Sequence, residues 1–155
     1  MPGITALVHT RNDALRIGRC LETLYPCDEI LIVDHRSEDG TLRVAAEYGA
    51  TIARASDSEN HVMLPDSKWV LCLDPRESLT ESLAASLYEW KTESPAEQSA
   101  FSMFLREETA EGWIDHPTPQ IRLVPPHWKH WQGHFPSNDL SARTLEGGLL
   151  RFVLP

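Results

Sequence analysis

Three carboxylates stand at or just beyond the ends of apolar runs, and a ligand would be sought there. Asp34 closes Ile30-Leu31-Ile32-Val33, and Asp74 closes Trp69-Val70-Leu71-Cys72-Leu73 with Glu77 three residues on. Asp13 follows Ile4-Thr5-Ala6-Leu7-Val8 in the polar stretch Thr10-Arg11-Asn12-Asp13, and Asp39 sits in the turn after Asp34. A carboxylate directly after four apolar strand residues needs a partner or a ligand. Taken singly, Asp13 and Asp39 also read as helix caps, and Asp74 as the start of a proline turn. A second constellation is His127-x-x-His130-x-x-x-His134, preceded by His116. On one helix face these imidazoles would bind Zn2+. Pro125, Pro126, Gly133 and Pro136 argue against that helix, and in a strand His127 and His130 point oppositely. These histidines are therefore expected at the surface or at a binding site, with Trp128 and Trp131 as core or groove aromatics.

The elements that must position these groups alternate. Ile4–Val8 predicts a buried strand. A helix is expected from about Ala14, with Ile17, Cys20, Leu21 and Leu24 on one face and Pro26 as its stop. Ile30–Val33 is apolar without alternation, as in a parallel strand covered on both faces. Leu42, Ala45 and Ala46 mark a second helix that Gly49 can end in a left-handed conformation. Thr51–Ala53 and Trp69–Leu73 predict further strands, with Val62-Met63-Leu64 as a short helix between them. Ser78 and Glu81 have capping-box spacing before a helix carrying Leu79, Leu83, Leu87 and Trp90. Phe101, Met103 and Leu105 predict a strand by alternation, and Ile121–Leu123 and Leu149–Leu154 predict two more. The order βαβαβ predicts an α/β fold: a mostly parallel sheet with helices on both faces and mixed strands toward the C-terminus. One domain over 1–155 is expected, with 1–98 as its ligand-binding half.

Composition narrows the classes. A length of 155 residues with 41% apolar residues suffices for one core. Fourteen Lys+Arg against 23 Asp+Glu give a formal charge of −9, a field that repels polyanions and argues against a nucleic-acid partner. The acid excess lies before Trp113. No apolar run approaches the length of a membrane span. Cys20, Cys27 and Cys72 have neither the number nor the spacing of a disulfide framework or zinc knuckle, and no signal peptide is readable, so a reducing, cytoplasmic location is expected. No G-x-G-x-x-G follows the first strand, which removes a dinucleotide-dependent oxidoreductase.

Ile4 to Asp13, Cys20-Leu21-Glu22-Thr23-Leu24, Asp28 to Asp34 and Ser37-Glu38-Asp39-Gly40-Thr41 together resemble the donor-binding half of family 2 glycosyltransferases. Trp69 to Glu77 resembles that family's W-[IV]-L-x-L-D-A-D-E segment, and Ile121-Arg122-Leu123 through Trp131-Gln132-Gly133 its later R-L-F…W-x-G stretch. The nearest type is the small bacterial enzymes of surface-polysaccharide or lipopolysaccharide-core assembly. The resemblance implies a GT-A fold, a nucleotide-diphosphate sugar donor, and transfer of its sugar to a glycan or other acceptor, with 99–155 forming the acceptor-side half. It places Thr10, Arg11, Asn12, Asp13, Asp34, Asp39, Asp74, Arg76 and Glu77 around the donor, with Asp34 accepting the N3–H of a uracil.

Two positions depart from the family pattern. The resemblance implies Mg2+ or Mn2+ held by D-x-D carboxylates, Asp74 being the first, but Arg76 occupies the second position; a guanidinium repels a cation and can itself clamp a diphosphate. After Gly133 the family often has V-H-E, whose Glu deprotonates the acceptor, whereas this chain reads His134-Phe135-Pro136-Ser137. Asp139 is the first substitute for that base and His134 the second. The alternative is a GT-A-like binding module that has lost catalysis.

Overall fold

A computed structural model describes residues 2–55, 68–93, 95, 99–137 and 141–154. The chain runs β1 (Ile4–Thr10), α1 (Ile17–Leu21), β2 (Glu29–Asp34), α2 (Thr41–Glu47), β3 (Thr51–Arg54), β4 (Trp69–Leu73), β5 (Glu77–Leu79) and α3 (Glu81–Thr92). It continues through β6 (Phe101–Thr109), β7 (Gly112–Asp115), β8 (Gln120–Val124), β9 (Trp131–Gln132), β10 (Phe135–Pro136) and β11 (Arg143–Arg151). The architecture is α/β. The main sheet has the order β3-β2-β1-β4-β8-β6-β11-β5, with β7 on β6, and β9 and β10 form a separate hairpin. Strands β3, β2, β1 and β4 are mutually parallel; β8 enters antiparallel between β4 and β6, and β11 runs parallel to β6. Strands from both halves of the chain thus share one sheet. No helix among the described residues is long and apolar enough to cross a membrane.

The apolar runs set this arrangement, because alternate residues of each parallel strand feed different cores. Ile4, Ala6, Val8, Ile32, Leu71 and Leu73 pack with Ile17, Cys20, Leu24, Ala45, Leu83, Leu87 and Trp90, so all three helices contribute to one cluster. Trp90 meets Trp69 edge-on at 4.9 Å between ring centroids. Leu7, Leu31, Val33, Val70 and Cys72 form a second cluster with Val124. The expectation of helices on both faces is met on one face among the described residues; on the other, Trp128, Trp131 and Phe135 pack instead.

Local differences have local causes. Helix α1 starts at Ile17 rather than Ala14, because residues 14–16 turn over the Asp13 carbonyl, which accepts the amides of Arg16 and Ile17. Ser78 does not cap α3. It lies in β5, whose pairing with β11 (Ser78 with Leu150, Leu79 with Leu149) uses it as strand, and Thr80 accepts the Leu83 amide at 3.2 Å instead. Leu79 therefore enters the core from a strand. The expected helix at Val62-Met63-Leu64 lies outside the described residues. Gly49 ends the α2 region at φ +74°, as its position predicts.

Gly147 is the backbone position with the tightest constraint. It lies where the β11–β6 register shifts between Thr144 and Gly148, at φ +90°, and a Cβ there would stand 2.4 Å from the Leu83 amide nitrogen at the start of α3. Gly147→Ala should therefore destabilise the fold by about 2–4 kcal/mol, strain and overlap together. Gly49→Ala, with φ +74° but no atom within 4 Å, should cost only about 1 kcal/mol. Urea unfolding of the two variants checks the difference in order as well as in size.

Candidate functional site

The carboxyl ends of β2, β1 and β4 lie side by side, and the strand order reverses between β1 and β4. In open α/β sheets ligands bind at such a reversal, where loops diverge. Thr10 pairs in register with Asp34, so the two groups are neighbours at the strand ends. Both are buried, at 2% and 3% exposure. The Thr10 hydroxyl donates to Asp13 Oδ2 at 2.6 Å. Asp34 Oδ2 accepts the Ser37 amide at 3.2 Å, while Oδ1 is buried without a hydrogen-bond partner among the described residues. An orphaned buried carboxylate oxygen is costly unless something donates to it.

The loops beyond these strands are laced together. Asn12, at φ 54°, gives its amide to Ser37 Oγ and accepts the Glu38 amide at 2.7 Å. The Asp13 amide donates to Thr41 Oγ1, and Asp39 accepts the amides of Ala14 and Thr41 as well as the Thr41 hydroxyl. Asn12, Asp13 and Asp39 thus shape the loop wall through side chains already engaged, while the N-cap positions of α1 and α2 fall to Arg16 and Gly40 without a side-chain cap bond. Arg11 is exposed beside them and makes no ion pair among the described residues.

Asp74 is held differently. Arg76 donates its backbone amide and Nε to Asp74 Oδ1, each at 2.9 Å, and a terminal guanidinium nitrogen to Oδ2 at 3.2 Å. Burial raises the Asp74 pKa, but the Arg76 hydrogen bonds and charge outweigh it and hold the carboxyl below its usual range. Both oxygens are occupied by a cation, so a divalent metal of the D-x-D type does not fit here.

Glu77 is a correction to the sequence reading. It is fully buried and both its oxygens are filled by protein donors, which leaves it no lone pair to offer a ligand. Arg122 grips it in a bidentate pair at 2.5 and 2.9 Å, Arg151 donates to Oε2 at 2.9 and 3.1 Å, and the Asp74 amide donates to Oε1 at 2.8 Å. Arg122 also lies over the Phe135 ring at 4.3 Å, and Arg151 reaches Glu107 at 3.0 Å. Glu77 positions the site rather than lining it. The two arginines lie 45 and 74 residues from Glu77, a separation that local sequence pattern does not bridge.

The histidine run does not form a helix. His127 is at φ 65°, Trp128 stacks edge-on with His130, and Gly133 turns the chain between β9 and β10. His134 leaves that run and stacks on His9. Pro136 lies in β10 and the Ser137 amide donates to the His130 carbonyl at 2.7 Å, so neither supplies a base. Asp139 lies outside the described residues.

No protein-family model matches the chain. It is 30% identical over 93 residues, 54% of its length, to an uncharacterized glycosyltransferase of Rickettsia felis (strain ATCC VR-1525 / URRWXCal2), of which the match covers 32%. The chain thus matches about a third of that relative. Among solved structures, residues 1–349 of S. aureus TarS align at 17% identity and TM-score 0.49, covering 76% of this chain and 38% of that one. Mannosyl-3-phosphoglycerate synthase from Rubrobacter xylanophilus aligns at 23% and 0.46, covering 68% and 39%. Glucosyl-3-phosphoglycerate synthase from Mycobacterium tuberculosis, in complex with Mn2+, UDP and phosphoglyceric acid, aligns at 13% and 0.47, covering 68% and 43%. The likeness to glycosyltransferases read from the motifs thus agrees with the curated relative.

Two outcomes follow from these ion pairs. Arg122→Ala leaves Glu77 buried and short of its bidentate partner, and should cost about 3–5 kcal/mol in urea unfolding. Asp74 has a folded pKa below its unfolded one, so its pair with Arg76 contributes fully above about pH 4 and the contribution is lost as pH falls through the depressed value. Arg76 is 42% exposed, which limits the effect to at most about 1 kcal/mol. Asp74→Asn should flatten the stability–pH curve in that acid window and leave its shape above pH 5 unchanged.

Proposed function

We propose that the chain is the donor-binding part of a glycosyltransferase of GT-A type, taking a UDP-type nucleotide sugar and delivering the sugar to a hydroxyl of a glycan or other acceptor. The observation that carries this reading is the orphaned Oδ1 of Asp34 beside Thr10. A uracil N3–H directed there would supply the missing donor, and the laced loop of Thr10, Arg11, Asn12 and Asp13 would bound base and ribose. Residues 1–98 serve the donor in this reading and 99–155 the acceptor side. Arg76, anchored on Asp74, and the exposed Arg11 offer positive charge to the diphosphate where relatives of this type would use a metal. Glu77 keeps Asp74 and Arg76 in place. Asp139 is assigned as the base that takes the acceptor proton, since burial lowers the His134 pKa and leaves that imidazole a weaker base. The three free thiols support a reducing, cytoplasmic setting.

A second reading, a binding module without catalysis, is favoured by the Asp74–Arg76 pair and by Pro136 and Ser137 at the family's His-Glu positions. The two differ in donor turnover, because a transferase releases nucleoside diphosphate slowly to water even without acceptor.

Calorimetry with UDP should give a saturable isotherm that Asp34→Ala weakens by about 1–3 kcal/mol, the size of a lost charge-assisted hydrogen bond. EDTA should leave the affinity unchanged, and Arg76→Ala should reduce it. Unchanged affinity in Asp34→Ala removes Asp34 from the site, and Mn2+-dependent binding removes Arg76 as the metal's substitute. Release of nucleoside diphosphate from a panel of UDP-, GDP- and dTDP-sugars selects the enzyme, and its absence despite binding selects the module.

A further inference from the structure

Three imidazoles from separate parts of the chain converge on the second face of the strand ends. His9 pairs in register with Val33, and His35 lies two residues past Val33, so the two histidines project from the same face of β1 and β2. That face continues the cluster of Leu7, Leu31 and Val33, whereas Thr10 and Asp34 continue the helix-covered side. His134 arrives from the β9–β10 turn, which Gly133 makes at φ +63°. Its ring stacks on His9 at 3.8 Å and 7° between planes, and lies 5.1 Å from His35. His9 Nδ1 and His35 Nε2 are 2.9 Å apart, sharing one proton. One ring nitrogen from each residue lies within 4.8 Å of the other two.

Such packing requires neutral rings, because three imidazolium ions stacked this closely would repel. Burial, reinforced by His134 and His35, pushes the His9 pKa down to about 3, and burial also lowers that of His134. Neutral imidazoles present lone pairs, the form in which histidine ligates metals. With no carboxylate in the cluster, the donor set suits a borderline transition metal and not Mg2+ or Mn2+.

We propose that His9, His35 and His134 form a Zn2+ site that clasps the β9–β10 hairpin onto the ends of β1 and β2. Tetrahedral Zn2+ with Zn–N bonds of about 2.0–2.1 Å sets its nitrogens about 3.3–3.4 Å apart. The 2.9 Å pair opens by a few tenths of an ångström, and the third nitrogen swings inward by side-chain rotation. The proton between His9 and His35 moves to the other nitrogen of its own ring, so that each neutral imidazole turns a lone pair to the metal and keeps its one N–H, and water takes the fourth position. The site is independent of the proposed nucleotide function, since its ligands and the metal are tested without any nucleotide.

The test is calorimetric titration of Zn2+ into the EDTA-treated, dialysed chain at pH 7.5, repeated in buffers of different ionisation heat. The expected result is one saturable site, one Zn2+ per chain in every buffer, together with the visible absorption of low-coordinate Co2+ when Co2+ is used. His134→Ala, in an exposed turn, should weaken Zn2+ binding about tenfold or more with unchanged circular dichroism, and His35→Gln should do the same. His130→Ala, outside the cluster, should bind like the parent. Absence of saturable binding, parental affinity in His134→Ala and His35→Gln, or an equal loss in His130→Ala would each overturn the proposal.

Discussion

A carboxylate removed from water at the start of the edge strand β5 constrains much of this molecule. Burying an isolated charge costs several kcal/mol, so Glu77 is tolerable only where its oxygens are filled. Arg122 from β8 and Arg151 from β11 fill them, with the Asp74 amide. Because β8 and β11 lie far along the chain from β5, the ion cluster fixes how the later strands join the parallel half. A buried network of this kind adds little net stability over an apolar core. What it contributes is position: the turn 74–77 is held from three sides, so Asp74 and Arg76 face the strand ends in one geometry.

The same constraint marks where the sequence is readable. Strands β1, β2 and β4 are legible because a parallel strand covered on both faces must be a continuous apolar run, and the carboxylates after them follow directly. Asp34, Thr10 and Asp74 therefore fall where their positions predict. Glu77 is misread because spacing cannot distinguish a carboxylate facing a ligand from one facing an arginine far along the chain. The α3 cap is misread for a related reason: β5 exists only through its pairing with β11, and three residues of local pattern do not reveal that partner. His9 and His35 become neighbours only through the β1–β2 register, which the apolar pattern alone leaves open.

Asp34 and Asp74 come from the same kind of sequence signal and receive opposite treatment. Asp34 is nearly inaccessible with one oxygen lacking a donor, whereas Asp74 has a donor on each oxygen. An unpaired buried oxygen carries a cost that a donor group can relieve. A saturated one offers a ligand nothing directly. Its influence passes through Arg76, whose remaining N–H groups and partial exposure are what a ligand would meet.

Replacing a metal-binding carboxylate by arginine changes more than the sign of a charge. A divalent ion must be captured from solution, with an affinity that follows its concentration, whereas a guanidinium is always present and always charged at physiological pH. Asp74 neutralises that charge in the free protein, so the guanidinium is already oriented by its own carboxylate. An anion approaching it meets a dipole rather than a bare cation. The attraction is weaker than a metal's, but the geometry is prepaid: Nε and one terminal nitrogen hold Asp74, so the guanidinium plane is fixed before an anion arrives. A site built this way favours orientation over strength, and its affinity for an anion then depends on a second cation nearby. In the proposed function that second cation is Arg11, exposed on the loop after β1.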